Sequence, residues 1–322
     1  MPTQPADIVA VLGLGTMGHG IAQVFAVAGY RVHCWDEAAA ARWSLHDRVS
    51  GNLQAFVSAG LLPAEAVAPA LERLVVCAEE SAAVAEARYV TEAVREDLAT
   101  KQELFARLER LTRADAVLAS NSSSFPISQI AAQMQRPDNA LVAHWFNPPH
   151  LVPLVEVVPG PRTRESAVGA TVSLLRSVGK LPIRLRQELP GFLVNRVQVA
   201  IQREVWDLLE RGVASAEEID TALRASIGFR LAAVGPLEVH DFGGLDIQAA
   251  TYRNLVPHIR RDTDLPTVVG ALVAQGHFGV KSGRGFYDYP EDRAEARRQR
   301  RDRLLLQLYR LLYAGEGWAD AP

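Results

Sequence analysis

The apolar run Ile8–Leu12 leads without a break into Gly13-Leu14-Gly15-Thr16-Met17-Gly18. Apolar residues at helical spacing follow at Ile21, Val24, Phe25 and Ala28. A strand that passes into a helix through three glycines at this spacing leaves few folds open. Gly13 allows the tight turn, Gly15 lets the backbone approach a ligand, and Gly18 lets the helix lie close on the sheet. The helix N-terminus then faces whatever sits on the turn, and its free N–H groups favour an anion such as a pyrophosphate. A second apolar run ends in Asp36. A carboxylate there accepts hydrogen bonds from ribose hydroxyls, and with Glu37 beside it repels a 2′-phosphate. The expected ligand is NAD rather than NADP.

The rest of the first half supports that frame. Apolar runs at Arg31–Trp35, Leu74–Cys77, Tyr89–Glu92, Val117–Ser120, Leu141–Trp145, Val155–Val158 and Ile183–Leu185 read as strands. Amphipathic stretches such as Lys101–Leu111 and Glu165–Val178 lie between them. Strands alternating with helices imply a mostly parallel sheet covered on both faces. After Pro190-Gly191 the period changes. Residues 192–212 carry apolar positions at helical spacing and end on Gly212, Ser215 and Glu218 suit a capping box, and Gly235-Pro236 opens another helix. The expected class is α/β, an N-terminal Rossmann-type, mostly parallel sheet over residues 1–187. A C-terminal all-helical domain for substrate and dimerisation follows over 188–322.

Composition narrows the function. A net charge of −3 gives no reason to expect nucleic acid or an anionic membrane as partner. The basic run Arg293–Arg303 reads as the solvated face of a terminal helix, because LLLQLYRLLY follows it. Cys34 and Cys77 match no metal spacing and read as buried thiols in a reducing compartment; no metal is expected. The N-terminus lacks the basic and apolar regions of a signal peptide, and no stretch is long enough to span a bilayer, so a cytoplasmic protein is expected.

The chemistry is expected in Ala143–Gly160. One apolar run ends near His144, turns through Asn147-Pro148-Pro149, and resumes in a run that carries one acid, Glu156. A lone carboxylate inside Leu-Val-Glu-Val-Val is costly to bury unless partnered. A histidine at a strand end supplies a partner, and together they make a tuned general base. Ser120–Ser124 follows another strand at the edge where ligands bind, although a polar turn before a helix at Pro126 explains it equally well. Most of the eight histidines read as surface residues; His150, in the turn, is a weaker candidate for approaching substrate.

These segments together resemble the L-3-hydroxyacyl-CoA dehydrogenase family. The likeness runs from Ile8 to about Tyr289 through GLGTMG, VTEAVREDLATK, SNSSS, HWFNPP, LVEVVPG, PGFLVNR and GxKSGxGFY. It implies an NAD domain, a helical domain that dimerises, and an active site between them. It implies His144 as catalytic base, Glu156 as its orienting acid, and Ser123 and Asn195 as contacts to the substrate oxygen. Asn147 joins the substrate side. Gly13, Gly15, Thr16, Met17, Gly18, Asp36, Glu96, Lys101 and Ser123 are implied on the cofactor side. One departure is chemical: the stretch Ser50–Leu74 contains no lysine for the phosphates of CoA, and the arginines that could substitute are Arg48 before it and Arg73 at its end. The wording of NPPHLVPLVEVVPG and of Gly228–Glu238 is closer to the branch that acts on small free hydroxy acids, which holds the gulonate 3-dehydrogenase and lambda-crystallin group and bacterial dehydrogenases of heterocyclic hydroxy compounds. There Arg230 is a candidate for a substrate carboxylate. Three readings follow: a 3-hydroxyacyl-CoA dehydrogenase of fatty acid metabolism, a dehydrogenase of a small free hydroxy acid, and a non-catalytic NAD-binding or crystallin-like protein. Retention of Ser123, His144, Glu156 and Asn195 argues against the third.

Overall fold

The structure, a computed structural model, describes residues 7–313, the side chains of 291 and 292 excepted. The stretch read for a leader begins in residues 1–6, outside the described residues. Two compact units are present: residues up to Asn195 together with those from Gln299 on, and Arg196–Arg298.

The first unit is built on one eight-stranded sheet. Its strands are β1 (Ile8–Leu12), β2 (Arg31–Trp35), β3 (Leu74–Val76), β4 (Ala87–Glu92), β5 (Val117–Ser120), β6 (Ala140–Trp145), β7 (Leu154–Pro159) and β8 (Leu181–Arg184). All eight expected strands are present; three keep the expected ends and five have ends moved by one or two residues. The order is β3-β2-β1-β4-β5-β6-β7-β8. Every pairing is parallel except β6 with β7. The order reverses between β1 and β4, and the crevice at such a switch point is where this architecture binds ligands.

Alternation along the strands feeds two cores. Val9 and Val11 join Phe25, Tyr89, Trp145 and Leu174 on one face. Ala10 and Leu12 join Phe105, Leu118, Val142 and Val158 on the other. Both faces are dry, so the strands read as near-continuous apolar runs. The helix α1 (Gly18–Val27) lies on the first face, and Leu98–Leu111 on the second. The latter starts at Asp97, whose carboxylate accepts from the Thr100 amide at 2.9 Å.

The second unit is helical, and its helices begin where the punctuation placed them. Ser215 and Glu218 form the expected capping box ahead of Ala216–Leu223, and Gly235 precedes Pro236–Gly243. Gly212 takes a positive φ of 64° after Val194–Glu210. In the Gly285–Tyr289 segment Asp288 makes one isolated bridge, to Arg284, which also bridges Gly279. No described helix is long and apolar enough to cross a membrane.

Candidate active site

The glycine turn shows why each position lacks a side chain. Gly13 has φ +85°, and a Cβ there would stand 2.6 Å from the Ala93 backbone. A Cβ on Gly18 would stand 1.7 Å from the Gly13 carbonyl, so strand, turn and α1 close on one another only with glycine. Gly15 has no atom within 4 Å of such a Cβ: its surface is open to a ligand. Beside it lies a cleft of about 540 Å3 lined by Gly13, Gly15, Asp36, Glu37, Val94 and Arg95, among others. Asp36 stands at the end of β2 and accepts from the amides of Leu14 at 2.6 Å and Ala38 at 2.8 Å. Its carboxylate is thereby aimed along the turn, where an adenosine ribose would lie. Arg42, which the sequence did not single out, donates to the carbonyls of Asp36 and Glu37.

Beyond the turn a polar network lies under the cleft. Glu92 and Lys101 are both fully buried, and Lys101 Nζ reaches Glu92 Oε1 at 2.6 Å. Ser120 Oγ donates to the other Glu92 oxygen at 2.6 Å, and the Val94 amide donates to Oε1 at 2.8 Å. Lys101 also lies 3.3 Å from Glu96. Glu96 Oε1 accepts from the Ser123 and Ser124 amides at 2.9 and 3.1 Å and from the Ser122 and Ser124 hydroxyls at 2.7 and 2.9 Å. Burial pushes the Glu96 carboxyl up, but the Ser122 hydrogen bond and the Lys101 charge outweigh it and leave the group below the ordinary glutamate range. Glu96, Lys101 and Ser123 are therefore physically joined. Glu92 was missed, although a lone acid ending an apolar strand carries the same signal as Glu156.

His144 and Glu156 face each other across the antiparallel β6–β7 pair. His144 Nδ1 lies 2.8 Å from Glu156 Oε2, with the side chains 5% and 1% exposed. An ionised carboxylate only accepts, so Nδ1 carries the proton and Nε2 holds the free lone pair. The second Glu156 oxygen accepts from the amides of Val194 at 2.8 Å and Leu193 at 3.2 Å. Those amides open the Val194–Glu210 helix, so its unsatisfied N-terminal donors hold the carboxylate. The turn that aims them is unusual: Gly191 and Phe192 have φ of 75° and 53°. A positive φ at a phenylalanine is uncommon. It places the Phe192 ring centroid 5.5 Å from that of His144, and the Phe146 ring lies 4.5 Å from it, both tilted. These rings belong to the surroundings that leave the pair 5% and 1% exposed. One residue further, Asn195 Nδ2 donates to the Ser123 carbonyl at 3.1 Å. His144, Glu156, Asn195 and Ser123 are thus linked through one short segment.

The remaining expected residues are placed as follows. Thr16 and Met17 lie in the glycine turn, and Thr16 is exposed. Asn147 is exposed, and its peptide bond to Pro148 is cis. Arg230 is exposed on the short helix Phe229–Leu231 of the second unit. The surface reading needs correction for His33 and His277, which are half-buried, as is His150. The Nδ1 atoms of His33, His150 and His277 are buried without a hydrogen-bond partner, because the folded strand and loop crowd rings that sequence alone leaves unconstrained. His150 packs 6.1 Å from Phe56 and 6.3 Å from His19. Burial first, then the charges of His19 and Lys180, draw its imidazole down to about 4.

That shift has a measurable consequence. The folded value lies below the unfolded value of about 6.5. The unfolded chain therefore binds more protons between them, and stability falls as pH drops through that interval. Urea unfolding at its two ends is expected to show a fall in wild type and a smaller one in His150→Gln. Equal falls would assign the slope to other groups.

A glycine turn onto a helix N-terminus, a carboxylate at the end of β2 and a buried His–Glu pair accord with an NAD-dependent oxidoreductase. The chain matches the 3-hydroxyacyl-CoA dehydrogenase NAD binding domain over residues 8–188 and the C-terminal domain of the same enzymes over 191–289. The chain belongs to the 3-hydroxyacyl-CoA dehydrogenase family. It is 33% identical to the 5-formyl-3-hydroxy-2-methylpyridine 4-carboxylate 5-dehydrogenase of Mesorhizobium japonicum, over 96% of this chain and 99% of that protein. A crystal structure of such a dehydrogenase, described as an NAD+-dependent dismutase, superposes with TM-score 0.89 at 32% identity, covering 97% of this chain and 100% of that one. The (S)-3-hydroxybutyryl-CoA dehydrogenase of Ralstonia eutropha gives 0.72 at 31% identity, over 89% and 100%.

Proposed function

We propose that the chain oxidises a 3-hydroxy group to a ketone, with His144 as the general base. The observation that carries this is the His144–Glu156 contact at 2.8 Å in a nearly water-free setting. NAD, when bound, accepts the hydride. Gly13–Gly18, with Thr16 and Met17, would hold its pyrophosphate, Asp36 its ribose, and Glu96 and Ser123 its nicotinamide side, with the buried Lys101 behind Glu96. His144 Nε2 takes the proton of the substrate hydroxyl. Glu156 then faces an imidazolium and stabilises it. Ser123, Asn195 and Asn147 hold the substrate oxygen and its surroundings.

The family substrate is a 3-hydroxyacyl thioester, which would place the enzyme in fatty acid metabolism. A small free hydroxy acid is favoured by a specific observation. Residues 50–72 carry no cation of their own; Arg48 donates to the carbonyls of Gly15, Ala41 and Ser44, and Arg73 to that of Ala26, which leaves Arg310, against the Ala59 carbonyl, as the cation nearest this stretch. A relative matched over nearly its whole length is named for a pyridine carboxylate. Arg230 is the candidate for reading such a carboxylate. Following NADH with acetoacetyl-CoA and with free hydroxy acids separates the two. If a free acid is the substrate, Arg230→Ala is expected to raise its KM by roughly 10–100-fold, since a hydrogen bond to a charged group contributes about 1.5–3 kcal/mol. Efficient turnover of acetoacetyl-CoA, with every free acid inert, would leave the thioester alone.

We also propose that residues 188–322 form the substrate and dimerisation part of a homodimer. Among the described residues of 196–298, Ile219 is the one buried hydrophobic side chain, whereas Leu237, Phe242, Phe229 and Val199 are 79%, 76%, 76% and 60% exposed. Helices this apolar need a partner surface. Light scattering is expected to give twice the chain mass of 35.1 kDa; a single-chain mass at micromolar concentration would refute it. Both cysteines are free and buried, as a reducing cytoplasm would keep them.

A further inference from the structure

The loop that joins the strands of His144 and Glu156 is held by a buried cation. Residues 146–153 connect β6 to β7. Lys180, the residue before β8, is 5% exposed. Its Nζ donates to the carbonyls of Pro149 at 2.7 Å and Val152 at 2.8 Å. The same ammonium lies 5.5 Å from the centroid of Trp145, the neighbour of His144. Its partners are two carbonyls and an aromatic face, and such a buried charge is costly. The cost shows in its proton affinity, which burial draws down to about 7. A neutral amine still has two N–H groups, enough for both carbonyls, so the contact survives deprotonation.

The same loop is seated from the opposite side on α1. A Cβ on Gly20 would stand 2.8 Å from both the Pro149 ring and His150 Nδ1, so only glycine lets the loop lie there. Within the loop, the amides of Leu151 and Val152 both donate to the Pro148 carbonyl, at 3.0 and 2.9 Å. Loop geometry sets the register of an antiparallel pair, and a slip of one residue turns every side chain to the other face. Here such a slip of β7 would turn Glu156 away from His144, into the core that holds Trp145 and Val155.

We propose that Lys180 is a positioning residue which fixes the 146–153 loop and thereby keeps His144 opposite Glu156. The proposal rests on the reading of His144 as the base, and its test separates the two. The first readout needs no substrate: the downfield proton of the His144 Nδ1–H, identified by its loss in His144→Gln. In Lys180→Met this signal is expected to shift or broaden, and kcat to fall by about 10–100-fold, the scale of a misplacement near 1 Å. In Lys180→Ala, propylamine is expected to restore the signal and turnover, while 1-propanol, of similar shape but with one donor for two carbonyls, restores neither. An unchanged His144 signal in Lys180→Met, or equal rescue by amine and alcohol, overturns the clamp. A lost signal with undiminished turnover upholds the clamp and overturns His144 as the base. Should Lys180→Ala not fold, Lys180→Met, which keeps the stem and loses the donors, decides alone.

Discussion

His144→Gln is expected to lower kcat by roughly 10²–10⁴-fold, the range that a positioned general base supplies. NAD affinity is expected to stay nearly unchanged. The His144 ring touches Glu156, Phe146 and Phe192, and none of these belongs to the glycine turn or to the carboxylate at the end of β2. Glutamine can still donate to Glu156 and fill most of the space, so the fold has little reason to change. Steady-state kinetics beside a fluorescence titration of NAD check both halves. A variant that turns over at the wild-type rate would remove His144 from the chemistry.

Glu156 carries a double load, and its substitutions are expected to show both parts. Its oxygens accept from His144 Nδ1, the Val194 amide and the Leu193 amide. Glu156→Gln keeps the shape but presents N–H groups to some of those donors, which favours the wrong histidine tautomer. In a comparable triad that error lowers kcat by about 10⁴-fold, and a loss of that order is expected here. Glu156→Leu keeps the strand apolar but orphans all three donors, each costing about 1–3 kcal/mol when buried. Urea unfolding is therefore expected to rank Glu156→Leu well below Glu156→Gln in stability. Equal stability of the two would mean that water replaces the lost acceptor.

How much of this was legible in the sequence depends on the range of the cause. The glycine turn, the eight strands and the capping box at Ser215 are local: each rests on a short spacing of residues and appears where that spacing lies. Glu156 was legible for a different reason. A carboxylate in an apolar run must find a partner, and the nearest chemically suited residue was His144. The same logic applied to Glu92 at the end of β4, but its partner Lys101 begins a different amphipathic stretch, and the pairing is visible only once the sheet is assembled. Lys180 was illegible, because a single lysine after a glycine resembles any surface turn. Its burial comes from a loop some thirty residues earlier in the chain. The burial of the His33 and His277 Nδ1 atoms was illegible on the same ground: their surroundings come from other elements, which periodicity does not report.

The most direct measurement is a double-mutant cycle on kcat/KM with wild type, His144→Gln, Glu156→Gln and the double variant. If the two side chains form one proton-accepting unit, removing either removes nearly all of its effect, and the double variant falls within about threefold of the worse single one. Losses that multiply in full would contradict this, because they would show His144 and Glu156 contributing to turnover independently.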